Sequence, residues 1–441
     1  MQVSVEVTSG LERKLTVELS GESVAAEIQK RMRDLSKNVK MNGFRNGKVP
    51  MSVVKKRFGG QVRSEILDEM ARASIGEALQ KEDLKLASMP VVEDITGTEP
   101  EAMFVIAKFE VYPEFSIEPL DDLTYTRKVA TVESADVDRM IETLRDQQSN
   151  FDEVERAAAD NDQVKCSYEG FVDGELFEGG KDDDASITIG EGRFIPGFEE
   201  QLIGASSGDK VDVTVVFPED YHQEALAGKE ANFKVVIISV LGKKLPEVDE
   251  AFAKNFGVDD GNIETMRTEI SANLEKELKT KVEQDLKAQV TEGLLSKHEI
   301  DVPTAMVESE VDMMLNRLKQ QFGIPEEQEF NIPRDGFMDE ARKRVALGLV
   351  FAKLVEENTF EVSDDKVQEA LVEMVSMYEE TDAVIKWYNE DPERLAPIQS
   401  KVMEDQVVEW VLGQGTVAEQ ASDFESIVKG DQKETEDSET E

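Results

Sequence analysis

The chain has 441 residues, of which 33% are charged and only 6% aromatic, and its formal net charge is −45. One cysteine, Cys166, excludes an intramolecular disulfide and any CxxC metal or redox motif. No run approaches the roughly 18 uninterrupted apolar residues of a membrane span, and the N-terminus lacks an apolar signal core, so a cytoplasmic protein with no membrane partner and about three domains is expected.

In chain order, Val3, Val5 and Val7 alternate with polar residues, and residues 1–20 read as a two-stranded hairpin. Residues 23–39 and 52–80 predict helices, the second with Val54, Phe58, Val62, Ile66 and Met70 at i+4 spacing. Strand-like runs at 91–95 and 103–112 complete an α+β unit over residues 1–112. Between the two helices the charge reverses. Residues 30–58 hold Lys30, Arg31, Arg33, Lys37, Lys40, Arg45, Lys48, Lys55, Lys56 and Arg57 against the lone acid Asp34, a net +9. A basic tip on an acidic body both attracts a polyanion and fixes the orientation of approach. At its centre lies the turn Gly43-Phe44-Arg45-Asn46-Gly47-Lys48-Val49-Pro50. Arg45 can grip phosphate or carboxylate with two hydrogen bonds, Lys48 acts as a point charge, and Phe44 suits a shallow apolar groove. Gly43 and Gly47 let the turn adopt positive φ. The plainer alternative is that these cations only coat two solvated helices.

Residues 113–150 form a connector with a helical centre at 137–147. From 161 to 245 the pattern becomes short alternating strands separated by glycines: Val164, Cys166 and Tyr168, then 187–189, 211–216 and 233–241. Beyond Pro246 almost everything reads as helix. Ile263, Met266, Ile270, Leu274, Leu278, Val282, Leu286, Val290 and Leu294 make one long stripe, and Pro303 and Gly323 bracket the next helix as N1 and C′ residues. Further helices are expected over 339–357, 363–380 and 395–412, and the acidic tail 431–441 is expected to be disordered. Met306, Met313, Met314, Met338, Met374, Met377 and Met403 lie in this region. Methionine is flexible and polarizable, so Met313, Met314, Met374 and Met377 are candidates for binding unrelated apolar segments, with gap-filling in a helical core as the alternative. His222 and His298 lack partners at ligand spacing and read as structural, and Asp182-Asp183-Asp184 reads as a solvated loop. No GxxxxGK[ST] loop is present, so nucleotide use is not expected, nor is any metal or cofactor.

The middle region carries an ordered set: Tyr168-Glu169-Gly170, Asp173-Gly174-Glu175-Leu176-Phe177, Phe194-Ile195-Pro196-Gly197-Phe198-Glu199-Glu200-Gln201-Leu202, and Phe217-Pro218-Glu219-Asp220-Tyr221. This set resembles the FK506-binding-protein (FKBP) type of peptidyl-prolyl isomerase. The resemblance implies an antiparallel half-barrel around one short helix at 197–203, with Phe198 as the floor of a pocket and Tyr168, Phe177, Ile195, Tyr221 and Phe233 as its walls. Glu178 and Phe198 stand where small members of that family have Asp and often Trp, which predicts a pocket of altered shape. Such a reaction needs no nucleophile. Amide resonance sets a barrier of about 18–20 kcal/mol, and a dry cup favours the twisted, less amide-like state.

The basic turn in turn resembles the ribosome-docking loop of the trigger factor family of bacterial chaperones. The order of regions matches too, including Leu245-Pro246-Glu247-Val248-Asp249-Glu250-Ala251-Phe252-Ala253-Lys254 at the start of the helical part. The resemblance covers essentially the whole chain. It implies a docking domain at 1–112, a connector at 113–150 packing on the C-terminal domain, an isomerase domain at 151–245, an all-α domain of long helices with two arms at 246–430, and a tail at 431–441. It places Phe44, Arg45 and Lys48 against ribosomal protein and rRNA near the exit tunnel, with Asn46 where the family often has Lys. Nascent or unfolded polypeptides are the implied clients, without ATP, and a weak homodimer is the implied free state. The rival expectation is a stand-alone soluble isomerase whose flanking domains oligomerise it and which binds no ribosome.

Overall fold

The computed structural model describes residues 3–39, 44, 49–82, 84–98, 101–219, 221, 223, 226–325, 332–375 and 381–430. The fold is mixed, with antiparallel sheets and a C-terminal part of long helices. It divides into two compact units. The first takes in the N-terminal residues to Arg127 and Gln284–Glu419; the second takes in Lys128–Glu283 and the residues from Gln420 on.

In the first unit, β1 (Val3–Ser9) and β2 (Glu12–Leu19) form the expected hairpin. Next come α1 (Gly21–Asn38), α2 (Met51–Glu82), β3 (Val91–Thr96) and β4 (Met103–Glu110). The sheet runs β1-β2-β4-β3. Ser20 starts α1 by accepting the Ser23 N–H on its hydroxyl, at 3.3 Å. Alternate residues of β2 and β4 (Leu15, Val17, Leu19, Met103, Val105, Ala107, Phe109) are buried against Leu67, Ala71, Ile75 and Ala78 of α2. Toward the start of α2, Val54, Val62 and Ile66 close a second small core with Met32 and Val49. The i+4 stripe is thus the buried face of α2.

β5 (Thr124–Val129) and α3 (Ser134–Gln147) follow. The second unit then continues with β6 (Asn150–Val154), β7 (Gln163–Val172), β8 (Glu175–Thr188), a 3-10 turn at Glu200–Leu202, β9 (Lys210–Val216) and β10 (Glu230–Lys244). β10 organises this sheet. One edge pairs with β7, while the other pairs first with β9 and then with β6. A bulge between Ile237 and Ser239 shifts the alternation, so Ala231, Phe233, Val235 and Ile237 point inward before it and Val240 after it.

Helices α4 (Glu250–Asn255), α5 (Ile263–Lys297), α6 (Thr304–Gln321), α7 (Asp335–Asn358), α8 (Asp364–Val375), α9 (Thr381–Asn389) and α10 (Pro392–Gln414) follow, then β11 (Thr416–Ala421) and α11 (Phe424–Lys429). Met266, Ile270, Leu274, Leu278, Leu286, Val290 and Leu294 of the α5 stripe are buried. In the second unit Val137 and Ile141 of α3 share a core with Phe252, Val258, Met266, Ile270 and Leu274. In the first, Phe115 packs on the core of α6 and α7, and the carboxylate of Glu110 accepts the Thr304 and Ala305 N–H groups at the start of α6 (3.0 and 2.9 Å).

Three expectations need correction. The short helix at 197–203 is only a 3-10 turn, because a tight turn at Ile195–Phe198 precedes it and Gly204, at φ +88°, stops it. The acidic run 182–184 is exposed strand within β8 and not a loop. The C-terminal part also contains β11, which pairs with β5. Pro303, expected near the start of its helix, is the N-cap of α6. His298 is buried and structural as expected: its Nδ1 lies 2.8 Å from the Leu294 carbonyl and its Nε2 accepts the Glu118 N–H. His222 lies outside the described residues, as does the tail 431–441. Among the described residues no helix is long and apolar enough to cross a membrane, and no acidic, histidine or cysteine cluster could hold a metal.

Candidate functional sites: an aromatic cup and a basic turn

The inward positions of β7, β8, β9 and β10 carry the middle domain's core, and one end of that core opens as a cleft of about 330 Å³. Every expected pocket residue lines it: Phe198 at the floor, with Tyr168, Phe177, Ile195, Tyr221 and Phe233 around it. Phe198 is only 1% exposed, and its ring meets Phe233 edge-on at 5.1 Å and Tyr168 at 6.2 Å. Tyr168 meets Phe233 at 5.9 Å, and Phe177 meets Phe233 at the same distance. Edge-to-face packing of this kind fixes each ring by its neighbours and leaves little room for water.

Local geometry explains the crowding. Gly170 is required here. A Cβ on it would come within 2.5 Å of the Phe233 ring and 2.8 Å of the Phe177 ring. Irregular register between β7 and β8 on either side of Tyr168 turns that residue toward the cleft. Burial, with lesser effects from Asp182, Cys166 and Tyr221, raises the Tyr168 pKa, so the phenol keeps its proton and can donate to a carbonyl. Burial likewise pushes the Cys166 thiol up to about 11, which makes it an inert core residue. The side chain of Glu178 lies outside the described residues.

Sequence reasoning missed three contributors. Phe194 stacks on Phe198 at 5.3 Å and forms a further wall, and Phe217 packs between Phe177 (5.7 Å) and Tyr221 (4.6 Å). Both stood in the quoted motif, but nothing in their spacing told wall from core. The third is Glu199, a buried carboxylate next to the floor residue. Its Oε2 accepts the N–H of Gly190 (2.9 Å) and Gly192 (3.0 Å), and its Oε1 that of Arg193 (2.9 Å) and Phe194 (3.2 Å). Burial alone would raise its pKa, but the four N–H bonds outweigh it and hold the carboxyl below its ordinary value.

At the basic turn, Phe44 is 40% exposed, a large ring offered to solvent. The feet of the turn are fixed. Val49 is buried, its carbonyl accepts the Ser36 hydroxyl at 3.2 Å, and the Pro50 carbonyl starts α2. Lys30 pairs with Glu27, Arg31 with Glu65 and Lys37 with Asp34, while Arg33, Lys55, Lys56 and Arg57 are exposed. Gly43, Arg45, Gly47 and Lys48 lie outside the described residues, as does Lys40.

The methionines divide. Met313 is 55% exposed on α6 and Met374 44% exposed on α8, whereas Met314 is half-buried against the α6–α7 core. Met377 lies outside the described residues. An apolar groove of about 1120 Å³ lies between α7 and α10, with Leu347, Phe351, Val355, Phe360 and Met403 on its walls. Phe and aliphatic residues build it more than methionines, which is why methionine counting did not find it.

The half-barrel and its cup define an FKBP-type peptidyl-prolyl isomerase domain: residues 154–238 match the family model described as FKBP-type peptidyl-prolyl cis-trans isomerase. Residues 1–144 match the model for bacterial trigger factor protein, and residues 262–413 the model for its C-terminus. The trigger factor of Hahella chejuensis is 41% identical over 429 residues, covering 97% of this chain and 96% of the relative. That of Chromohalobacter salexigens is 39% identical, covering 98% and 97%. One from Pseudomonas putida is 41% identical, covering 97% and 98%. The chain belongs to the bacterial trigger factor family.

Proposed function

We propose that the protein is an ATP-independent, ribosome-associated chaperone that holds apolar stretches of emerging chains and isomerises their X-Pro bonds. The observation that carries the ribosome reading is the charge reversal: a net +9 over residues 30–58 in a chain of −45, with the half-exposed ring of Phe44 at its centre. A polyanionic surface would attract this tip and repel the rest, so docking would be oriented as well as strong. Arg45 and Lys48 would meet phosphate or carboxylate, and Phe44 an apolar groove beside them. Residues 1–112 would then dock, residues 151–245 isomerise, and residues 246–430 with the connector hold clients. The exposed Met313 and Met374 and the α7–α10 groove are candidate client contacts.

In the cup, a proline ring would rest on Phe198 while Tyr168 holds a substrate carbonyl. Excluding water from the twisted amide favours it over the planar forms and lowers a barrier of about 18–20 kcal/mol. Co-sedimentation with bacterial ribosomes tests the docking part. Wild type should pellet and the Phe44→Ala/Arg45→Ala/Lys48→Ala variant should stay in the supernatant. Equal pelleting of the two would return the protein to the stand-alone isomerase reading.

A further inference from the structure

The cup has two kinds of wall. Tyr168, Phe177 and Phe233 stand on paired strands, so the sheet fixes them. Phe194 does not. It ends a segment, residues 190–194, that lies in no strand or helix, and its ring is the one stacked on the floor residue Phe198. Nearly all the backbone N–H groups of this segment converge on one side chain: those of Gly190, Gly192, Arg193 and Phe194 reach the Glu199 carboxylate. Gly190 (φ +95°) and Gly192 (φ +65°) allow the chain to curl so that consecutive N–H groups face inward, the concave arrangement that captures anions. Here the anion is the protein's own. It is 7% exposed and follows the floor residue directly in sequence.

We infer that Glu199 is a positioning residue for the isomerase reaction: its carboxylate holds residues 190–194 so that Phe194 stays stacked on Phe198 and the substrate-facing wall stays closed. The inference rests on reading the cup as the X-Pro site. One residue pair, Phe198 and Glu199, supplies the floor and the clamp for the wall. A carboxylate suits the task because it only accepts hydrogen bonds. An amide in its place would turn an N–H₂ group toward two of the four N–H donors and release them. Bonds from N–H to an ionised acceptor are stronger than neutral ones, so the loss falls on the segment's position more than on the sheet.

The test measures steady-state isomerisation of an X-Pro tetrapeptide by the full chain carrying Glu199→Gln. Amide NMR shifts of Gly190, Gly192, Arg193 and Phe194 are read in parallel. KM should rise about tenfold with kcat within about twofold, since a misplaced wall weakens capture more than the twist itself. The four amides should shift together. Two controls separate positioning from general stability. Asp162 is an equally buried carboxylate of the same domain that serves Arg156 and the Ala159 N–H away from the cup; Glu200 is the exposed neighbouring acid. Asp162→Asn and Glu200→Gln should keep the wild-type KM. A wild-type KM for Glu199→Gln, or an equal rise for Asp162→Asn, overturns the inference. If Glu199→Gln does not fold, Phe194→Ala decides: it leaves the clamp and removes the wall, and an unchanged KM would equally overturn it. Failure of the underlying reading looks different, because Phe198→Ala would then be as active as wild type.

Discussion

The cup and the basic turn do opposite things with their side chains. The cup turns its rings inward and fixes each against the next at 4.6–6.4 Å. The turn leaves Phe44 40% exposed within a sequence stretch of net +9. A site built from buried rings is shaped before its ligand arrives, so its chemistry follows packing and is nearly indifferent to salt. A site built from exposed charge depends on its partner for its geometry and on ionic strength for its affinity. On the proposed docking role of the basic turn this chain carries both, and the two should fail independently.

Phe198→Ala should show the largest effect on the cup. Removing a buried Phe costs about 3–5 kcal/mol of stability in that domain. Turnover on a proline-limited refolding substrate should fall on the order of 100-fold, with ribosome pelleting unchanged. Next comes salt. Raising it from about 50 to 200 mM should weaken ribosome association at least about tenfold and alter peptide isomerisation by less than about twofold. Gly170→Ala should be smaller. The added methyl must displace Phe233 or Phe177, so about 1–3 kcal/mol of denaturation stability and severalfold of activity should be lost.

Acid should sharpen the contrast further. The folded-state pKa values of Asp162, held down first by its Arg156 partner, and of Glu199, held down by its N–H bonds against burial, both lie below their ordinary values. A depressed acid stabilises the fold fully above its unfolded pKa and loses that contribution as pH falls through the folded value. Thermal stability of the isomerase domain should therefore hold from neutrality to about pH 5 and decline below about pH 4, and Glu199→Gln should decline less steeply. The smallest effect expected is that of Met313→Gln with Met374→Gln. Both side chains are exposed, so stability should stay within about 0.5 kcal/mol, while suppression of client aggregation falls about twofold.

What could be read from the sequence follows physical locality. The hairpin, α1, α2 and the α5 stripe depend on period and neighbours, so Val54, Val62 and Ile66, or Met266 to Leu294, declare their own burial. Spacing alone did not tell wall from core; the cup was legible because its ordered motifs resemble those of the FKBP family, which assigns a floor and walls. β5 and β11 were not, since two six-residue strands nearly 290 positions apart acquire meaning only on pairing. The 3-10 turn escaped because Gly204 cuts short a run that otherwise reads as helix. Glu199 escaped for a deeper reason. In sequence it is one acid among 95 acidic residues, and only the curl of residues 190–194 gives it four donors.

The most direct test of this account crosses the two sites in one experiment. Phe198→Ala and the Phe44→Ala/Arg45→Ala/Lys48→Ala variant would each be measured for ribosome co-sedimentation and for proline-limited refolding. The first should pellet but no longer isomerise, and the second should isomerise but no longer pellet. A variant that loses both activities, or a basic-turn variant that still pellets like wild type, would contradict it.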